Sequence, residues 1–261
     1  MDAVSSIRVQ YRDPSTLEKS DLDRIWSFFQ RFVERERVPF EKKLLSTSEV
    51  FLGEDAAGDL VLFGAVEVLT RAWEGESYGM LFTHWAALDP RHRGNNILQK
   101  IGLKYYLKYQ LRHPTRMVYW ILGASTFKSY LLLVHNFLEF WPRRDVAWPD
   151  RERALVAGVM GEAQDANWDE VAGLLRRRGA SRYREGVVAD EPGVTLDPDL
   201  RFYSELNPAQ AEGDTLLCIA PLTAKTWLNM ARVGARRLLR GRRRARSSSS
   251  EGGPRAARQK S

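Results

Sequence analysis

Two groups of residues in this 261-residue chain have types and spacing suited to chemistry. The first is Leu88-Asp-Pro-Arg-His-Arg-Gly-Asn-Asn-Ile-Leu98. An apolar strand-like segment ends at Asp89-Pro90, two arginines and a glycine follow, and the chain then reads as helix. Free backbone N–H groups and the positive end of the helix dipole converge at such a helix start and favour an anion. Gly94 lets the backbone come close to a phosphate, and Arg91 and Arg93 add charge. An ordinary strand-to-helix turn with a solvated basic edge would have the same composition. The second group is His84, on the strand before this loop, with Glu67 on the preceding strand and Glu76 in the turn between. Imidazole titrates near neutrality, so His84 is the first candidate for a general base and the two glutamates are its rivals. Period-two alternation puts His84, Ala86 and Leu88 on one face. A histidine satisfied inside a core is the competing reading.

Other chemistries lack their residues. His92, His113 and His135 are scattered, so no metal site is expected. Neither a G-x-S-x-G elbow nor a P-loop occurs. Cys218, the only cysteine, sits in the apolar run Leu216–Ala220 and reads as a core residue; a single cysteine fits a reducing compartment.

Ile7–Tyr11 reads as a first strand. Ser20-Asp-Leu-Asp23 offers an N-cap and an acidic first turn for a helix running toward Glu36, and Phe40–Ser46 suggests a second helix. Strands follow at Val50–Gly53, Leu60–Thr70 and Ser77–Leu88. Asn95–Arg112 reads as a helix with Ile97, Ile101, Leu103, Tyr105, Leu107 and Leu111 available to the core. Met117–Gly123 is an apolar strand buried on both faces. Ser125 or Thr126 caps a further helix to about Phe140. Asp150–Ala163 and Asn167–Gly179 suggest two more helices. Leu200–Leu206 and Asp214–Ala220 read as a closing hairpin.

The loop P-x-x-R-G-x-x-I resembles the coenzyme A pyrophosphate loop of the GNAT superfamily of N-acetyltransferases. Pro90, Arg93, Gly94 and Ile97 match that pattern, while Asn96 and Leu98 stand where glycine is usual. Asn96 tolerates left-handed backbone and is a partial substitute. The order of elements over residues 5–140 agrees with the same family. The fold expected from the resemblance is α/β: a mixed, mostly antiparallel sheet flanked by helices, with a helical insertion at about 145–195 before the last hairpin. The GNAT-like domain would span 1–222.

The resemblance implies N-acyl transfer from an acyl thioester to an amine. Leu88, Arg91, Arg93, Gly94, Asn95, Asn96 and Ile97 would hold acyl-CoA or acetyl-CoA as donor, and backbone near Ala87 and Leu88 would face the thioester oxygen. Family members use a tyrosine acid before a Gly-Phe pair. Here Asn136-Phe137 takes that place, the strict spacing falls on Leu132, and Tyr130 lies two residues earlier. The catalytic set implied is thus His84, Tyr130 and Glu67. Loss of the later glycines leaves an acyl carrier protein open as donor, its acidic face meeting Arg91, Arg93 or the C-terminal segment. The acceptor would be a small-molecule amine or amino acid. Trp73, Tyr78, Trp85, Tyr119, Trp120 and Tyr130 suggest the lining of a long-chain acyl channel.

Composition sets the remaining bounds. Hydrophobic residues make up 44% and aromatic residues 11% of the chain. That is enough for a core. No apolar run is long enough for a transmembrane helix, and Met1-Asp-Ala-Val lacks the features of a signal peptide, which points to the cytoplasm. The net charge of +7 is unevenly spread: residues from Arg232 onward carry +10, leaving −3 on residues 1–231. In the segment 223–246, Trp227, Leu228, Ala231, Ala235, Leu238 and Leu239 gather on one side at helical spacing, with arginines mostly opposite. A basic amphipathic helix of this kind suits an anionic membrane surface, which would place the protein at the inner face of a membrane. Nucleic acid or an acidic protein ranks lower, and the lack of aromatics beyond Trp227 among the arginines tells against a binder that stacks on single strands. A helix packed on the domain is the plainest alternative. Residues 247–261 read as a disordered tail. A second class of function stays open: a non-catalytic GNAT-like protein acting as a membrane or interaction module through its Arg-rich helix.

Overall fold

The computed structural model describes residues 7–92, 96–162, 167–176, 181–184 and 197–235. Strand β1 (Arg8–Arg12) leads to helix α1 (Lys19–Phe29), the short strand β2 (Val33–Arg35) and helix α2 (Arg37–Leu45). Three antiparallel strands follow: β3 (Glu49–Glu54), β4 (Leu60–Trp73) and β5 (Glu76–Leu88). Glu74 and Gly75 both have positive φ between β4 and β5. A tight hairpin between right-twisted strands needs that backbone. Helix α3 (Ile97–Arg112) returns the chain to β6 (Val118–Ala124), which lies parallel to β5; all other described strand pairs in the sheet are antiparallel. Helices α4 (Phe127–Asn136) and α5 (Asp150–Glu162) come next, then the strands β7 (Trp168–Asp169), β8 (Leu174–Leu175) and β9 (Ser181–Tyr183). Helix α6 (Pro198–Leu206) precedes β10 (Thr215–Pro221), and a last helix covers 224–235. Eight strands form one sheet in the order β1-β3-β4-β5-β6-β10-β8-β7. This is a mixed, mostly antiparallel sheet flanked by helices, as the sequence implies.

The two faces of the sheet are covered differently. On one face α3, α4 and α6 pack over Leu62, Val66, Leu81, Val118 and Leu122 as a single cluster that includes Tyr105, Tyr130, Leu133 and Tyr203. The other face carries two separate clusters. Ile25, Phe29, Phe40 and Leu44 of α1 and α2 cover Phe63, Ala65 and Ala87. Leu155, Val156 and Val159 of α5 cover Met80, Phe82, Tyr119 and Ile121.

Several expectations need correction. Helix α1 begins at Lys19, with the Glu18 N–H donating to Asp21 Oδ2 at 3.0 Å, so Ser20 lies inside it. It stops at Phe29 rather than Glu36, because Val33–Arg35 pairs with β9. Residues 167–179 do not form a helix: Trp168–Asp169 and Leu174–Leu175 join the main sheet, and residues 177–179 lie outside the described set. Leu200–Leu206 is helical, not a strand. Pro198 stands at its first turn, where proline's missing N–H costs nothing. Asp197 caps it, accepting from the Asp199 N–H at 2.8 Å and the Leu200 N–H at 3.2 Å. Leu200–Leu206 therefore does not pair with β10, which lies between β6 and β8. On α3, Ile101 and Tyr105 are buried as expected and Tyr109 joins them, whereas Leu103, Leu107 and Leu111 are exposed. On the last helix Trp227 and Met230 pack against the domain and Leu228 is exposed, so the docking stripe is not the one expected. Leu238, Leu239 and the 247–261 tail lie outside the described residues. Cys218 is fully buried, as a core residue should be.

Candidate active site

The polar residues of interest sit where the second face of the sheet changes cover. β4 and β5 pair as Ala65↔Trp85 and then as Val66↔Thr83, which leaves His84 as the extra residue of a β-bulge. A bulge breaks period-two alternation. Phe82 and Met80 face α5, whereas beyond the bulge Ala87 and Trp85 face α1 and α2, and Leu88 lies on the opposite face. The expectation that His84, Ala86 and Leu88 share a face fails for this reason.

The bulge brings His84 to Glu67. The register places Glu67 opposite Phe82 on the β4 face that also bears Phe63, Ala65 and Leu69. His84 Nε2 lies 2.6 Å from Glu67 Oε2, and Lys43 Nζ of α2 donates to the same oxygen at 3.1 Å. The His84 ring packs 4.1 Å from Phe82 and 5.9 Å from Trp85, one ring from each flanking cluster. The His84 hydrogen bond, against the opposing effect of burial and with help from Lys43, holds the Glu67 carboxyl down at about 2. Glu67 is thus a carboxylate at neutral pH. His84 is almost enclosed, with 8% of its side chain exposed, while Glu67 and Lys43 retain 22% and 34%. The two residues expected to be rivals for one role are partners in a single cluster. The third, Glu76, begins β5 at the far end of the strand and takes no part. The sequence does not single out Lys43: it lies in a run of charged residues on a helix of weak apolar periodicity, and only the fold brings it to Glu67.

The same bulge adjoins a parting of strands. The parallel register of β5 and β6 ends at Thr83↔Leu122, and β5 runs on to Leu88. Trp120 Nε1 donates to Thr83 Oγ1 at 2.9 Å at this end. Ala87 and Leu88, expected beside the thioester, lie past the last registered pair and remain tied to Phe63 and Leu62 on the β4 side.

The loop after β5 is anchored from inside. Asp89 is buried, and its N–H donates to the Val61 carbonyl at 2.9 Å. Arg91 gives Asp89 three hydrogen bonds, from its backbone N–H and its guanidinium, at 3.0 to 3.1 Å, and Arg31 adds one at 2.9 Å. These partners, Arg91 foremost, hold the Asp89 carboxyl far below its usual value. Asp89 is thus the counter-ion of the loop. Part of Arg91's charge is neutralised there, though its side chain stays 72% exposed. Asn96 takes left-handed backbone, φ 52° and ψ 25°, immediately before α3. Asparagine tolerates this conformation, for which glycine is usual. Ile97 and Leu98 are half-buried against the main cluster. Arg93, Gly94 and Asn95 lie outside the described residues.

Tyr130 is elsewhere. It is fully buried in α4, its hydroxyl donates to the Pro142 carbonyl at 3.3 Å, and its ring stacks on Tyr203 at 5.4 Å. Burial pushes its phenol well above the usual range. It serves the core and offers no proton to the bulge. The expected aromatic channel also dissolves: Trp85, Tyr119 and Trp120 pack against three different clusters.

No family model matches the chain, and no curated protein matches it. Solved structures of acetyltransferases are similar to it at a low level. One is the GCN5-related glucosamine N-acetyltransferase region of a fungal multi-domain GH3 beta-N-acetylglucosaminidase, with TM-score 0.41 and 13% identity over 62% of this chain and 21% of the other. Another is the aminoglycoside 6'-N-acetyltransferase AAC(6')-Ih from Acinetobacter baumannii, with TM-score 0.38 and 12% identity over 56% and 98%. NAA60 of Arabidopsis thaliana, solved with acetyl-CoA, gives TM-score 0.36 and 15% identity over 49% and 84%.

Proposed function

We propose that this protein is a GNAT-type N-acyltransferase, moving an acyl group from an acyl thioester to an amine. One observation carries the reading: the bulge at His84 joins it to Glu67 at the point where β5 and β6 part. The donor, acyl-CoA or an acyl carrier protein, enters along the parted ends of β5 and β6. Its phosphate end lies toward Asn96 and the start of α3, where backbone N–H groups and the helix dipole favour an anion.

The acceptor amine, cationic in water, approaches from the seam between α2 and α5. The Glu67 carboxylate attracts it. His84 takes a proton from the ammonium, and the Glu67 charge beside it stabilises the imidazolium that forms. The free amine attacks the thioester carbonyl, and the tetrahedral intermediate collapses to amide and thiolate. As it collapses, the proton still carried by the attacking nitrogen passes through water to the thiolate, since Tyr130 is enclosed in the core. Lys43 shares the Glu67 oxygen and keeps the seam from holding an unbalanced negative charge.

The test follows thiol release from acetyl-, octanoyl- and palmitoyl-CoA and from an acylated carrier protein, with a panel of primary amines. Amine-dependent release is expected, falling about 10²- to 10⁴-fold in Glu67→Gln and His84→Gln while both variants still fold and melt cooperatively. A cooperatively melting wild type that releases no thiol with any donor overturns the proposal. Turnover that survives both substitutions overturns the assignment of the site.

A further inference from the structure

Helix α3 presents the wrong residues to water. Its inner face is aromatic, with Tyr105 and Tyr109 buried beside Ile101, while its leucines point out. Leu103, Leu107 and Leu111 follow one another at four-residue spacing and are 36%, 48% and 83% exposed. Residues four apart lie one turn apart on the same side, so the three form a continuous apolar ridge. The 224–235 helix flanks this ridge. Its Trp227 ring packs 5.6 Å from Tyr106, close over Gly102, and the adjacent Leu228 is 59% exposed. On the other flank lie Lys100, Lys104 and Lys108, with Arg112 at the end of the helix. Lys104 rests over the Tyr11 ring at 3.3 Å, and Lys108 pairs with Glu49.

Neither α3 nor the 224–235 helix contains a carboxylate, while together they carry Lys100, Lys104, Lys108, Arg112, Lys225 and Arg232. The sequence beyond residue 235 adds nine more arginines. An exposed leucine ridge on a helix whose charged side chains are all cations has a specific complement, even with Lys108 paired to Glu49. A second copy of this face would set cations against cations. A nucleic acid would match the charge and leave the leucines in contact with phosphate and water. Anionic lipid offers negative headgroups at the level of the ammonium groups and acyl chains below them for the leucines.

We propose that the outer face of α3, with the start of the 224–235 helix, is a docking surface for an anionic lipid bilayer. Leu103, Leu107, Leu111 and Leu228 enter the interface, and the lysines lie at headgroup level. The inference stands independently of catalysis. Glu67 and His84 lie on the opposite face of the sheet from α3, so a docked protein keeps its seam toward water.

The experiment uses the full chain and vesicles of phosphatidylcholine with and without phosphatidylglycerol. Co-sedimentation is expected only with the anionic vesicles. The triple variant Leu103→Ser, Leu107→Ser, Leu111→Ser should weaken it about tenfold or more. All three sites are on the surface, so the melting temperature should hold, and circular dichroism checks this. Equal binding by wild type and triple variant would assign the attraction to the arginine-rich segment alone and overturn the proposal. No vesicle binding by wild type would overturn it as well. A dimer at sedimentation equilibrium that the triple variant dissociates would replace the lipid with a second copy. Binding to RNA that persists in the triple variant, without vesicle binding, would replace it with a nucleic acid.

Discussion

One face of the sheet carries a single continuous apolar layer, and the other carries two layers with a polar seam between them. The first face, under α3, α4 and α6, buries Tyr130, Leu133 and Tyr203 completely and joins residues from β4 to β10. The second is divided between the α1–α2 cluster and the α5 cluster, and at the division stand Lys43, Glu67 and His84. A charged group inside a continuous layer would lose its hydration with nothing in return. At the division, Glu67 has two donors and keeps partial access to solvent. The fully buried aromatic bulk lies in the undivided face, and the ionised side chains with partial access to water lie in the interruption of the other.

That contrast breaks most visibly at Tyr130. Truncation to alanine removes a fully buried ring that stacks on Tyr203 and meets Phe140 edge-on. It should lower stability by about 3–5 kcal/mol in denaturant titrations. Tyr130→Phe keeps the ring and removes one hydrogen bond of 3.3 Å. That loss should cost about 1 kcal/mol, with thiol release unchanged. A large drop in turnover for the phenylalanine variant would return Tyr130 to the catalytic set and erase the division of labour. Glu67→Gln should behave in the opposite way, with turnover lost and the fold retained at neutral pH.

Acid sharpens the comparison. The Glu67 carboxyl is depressed from its ordinary value to about 2 in the folded chain. A depressed carboxyl contributes stability above its unfolded value, near 4.5, and that contribution fades as the pH falls toward 2. Asp89 is depressed in the same direction by Arg91 and Arg31, and its contribution fades as the pH falls below its own unfolded value, near 3.8. Asp89→Asn should cost about 1–3 kcal/mol at pH 7, because it removes the charge from a buried anchor with two arginine partners. Its penalty should shrink as the pH falls below about 3.8, where the unfolded carboxyl takes up a proton that the folded one resists. A variant whose deficit stays constant from pH 7 to pH 2 would show that the loop is held by shape rather than by this charge.

The loop and the strands beside it are legible in the sequence because polar punctuation marks their ends: Asp55–Asp59, Glu74-Gly75 and Asp89-Pro90 each bound an apolar run. His84 and Glu67 are legible singly, and their meeting is concealed. The bulge has no signature in Thr83-His84-Trp85, where the flanking residues suit either face. Residues 167–176 mislead because two-residue strands are too short to show a period, and Leu174-Leu175 fits a helix as well as a strand. Helix α6 is different, since its signal is legible: Asp197-Pro198-Asp199 is a cap, a first-turn proline and an acidic first turn. Apolar content outweighs that signal in the strand reading of Leu200–Leu206. On α3 the same weighting sends leucines inward, although tyrosines fill the interior and the leucines form its outer ridge.

The finest test lies at Asn96, where the loop meets α3. Its φ is 52°. Asparagine tolerates that backbone, which costs other side chains about 1–2 kcal/mol. Asn96→Ala should therefore destabilise the chain by about 1 kcal/mol, and Asn96→Gly should leave stability within a few tenths of wild type. Loss of the side chain discriminates further. If the loop holds the donor's phosphates through backbone N–H groups, Asn96→Gly keeps the left-handed start of α3 and the KM for acyl-CoA stays near wild type. If the asparagine amide itself touches the donor, the glycine variant raises KM while the fold is unperturbed. The first result would make the glycine-poor loop a working variant of the phosphate turn, held by Asp89 on one side and Asn96 on the other. The second would move recognition from backbone to side chain.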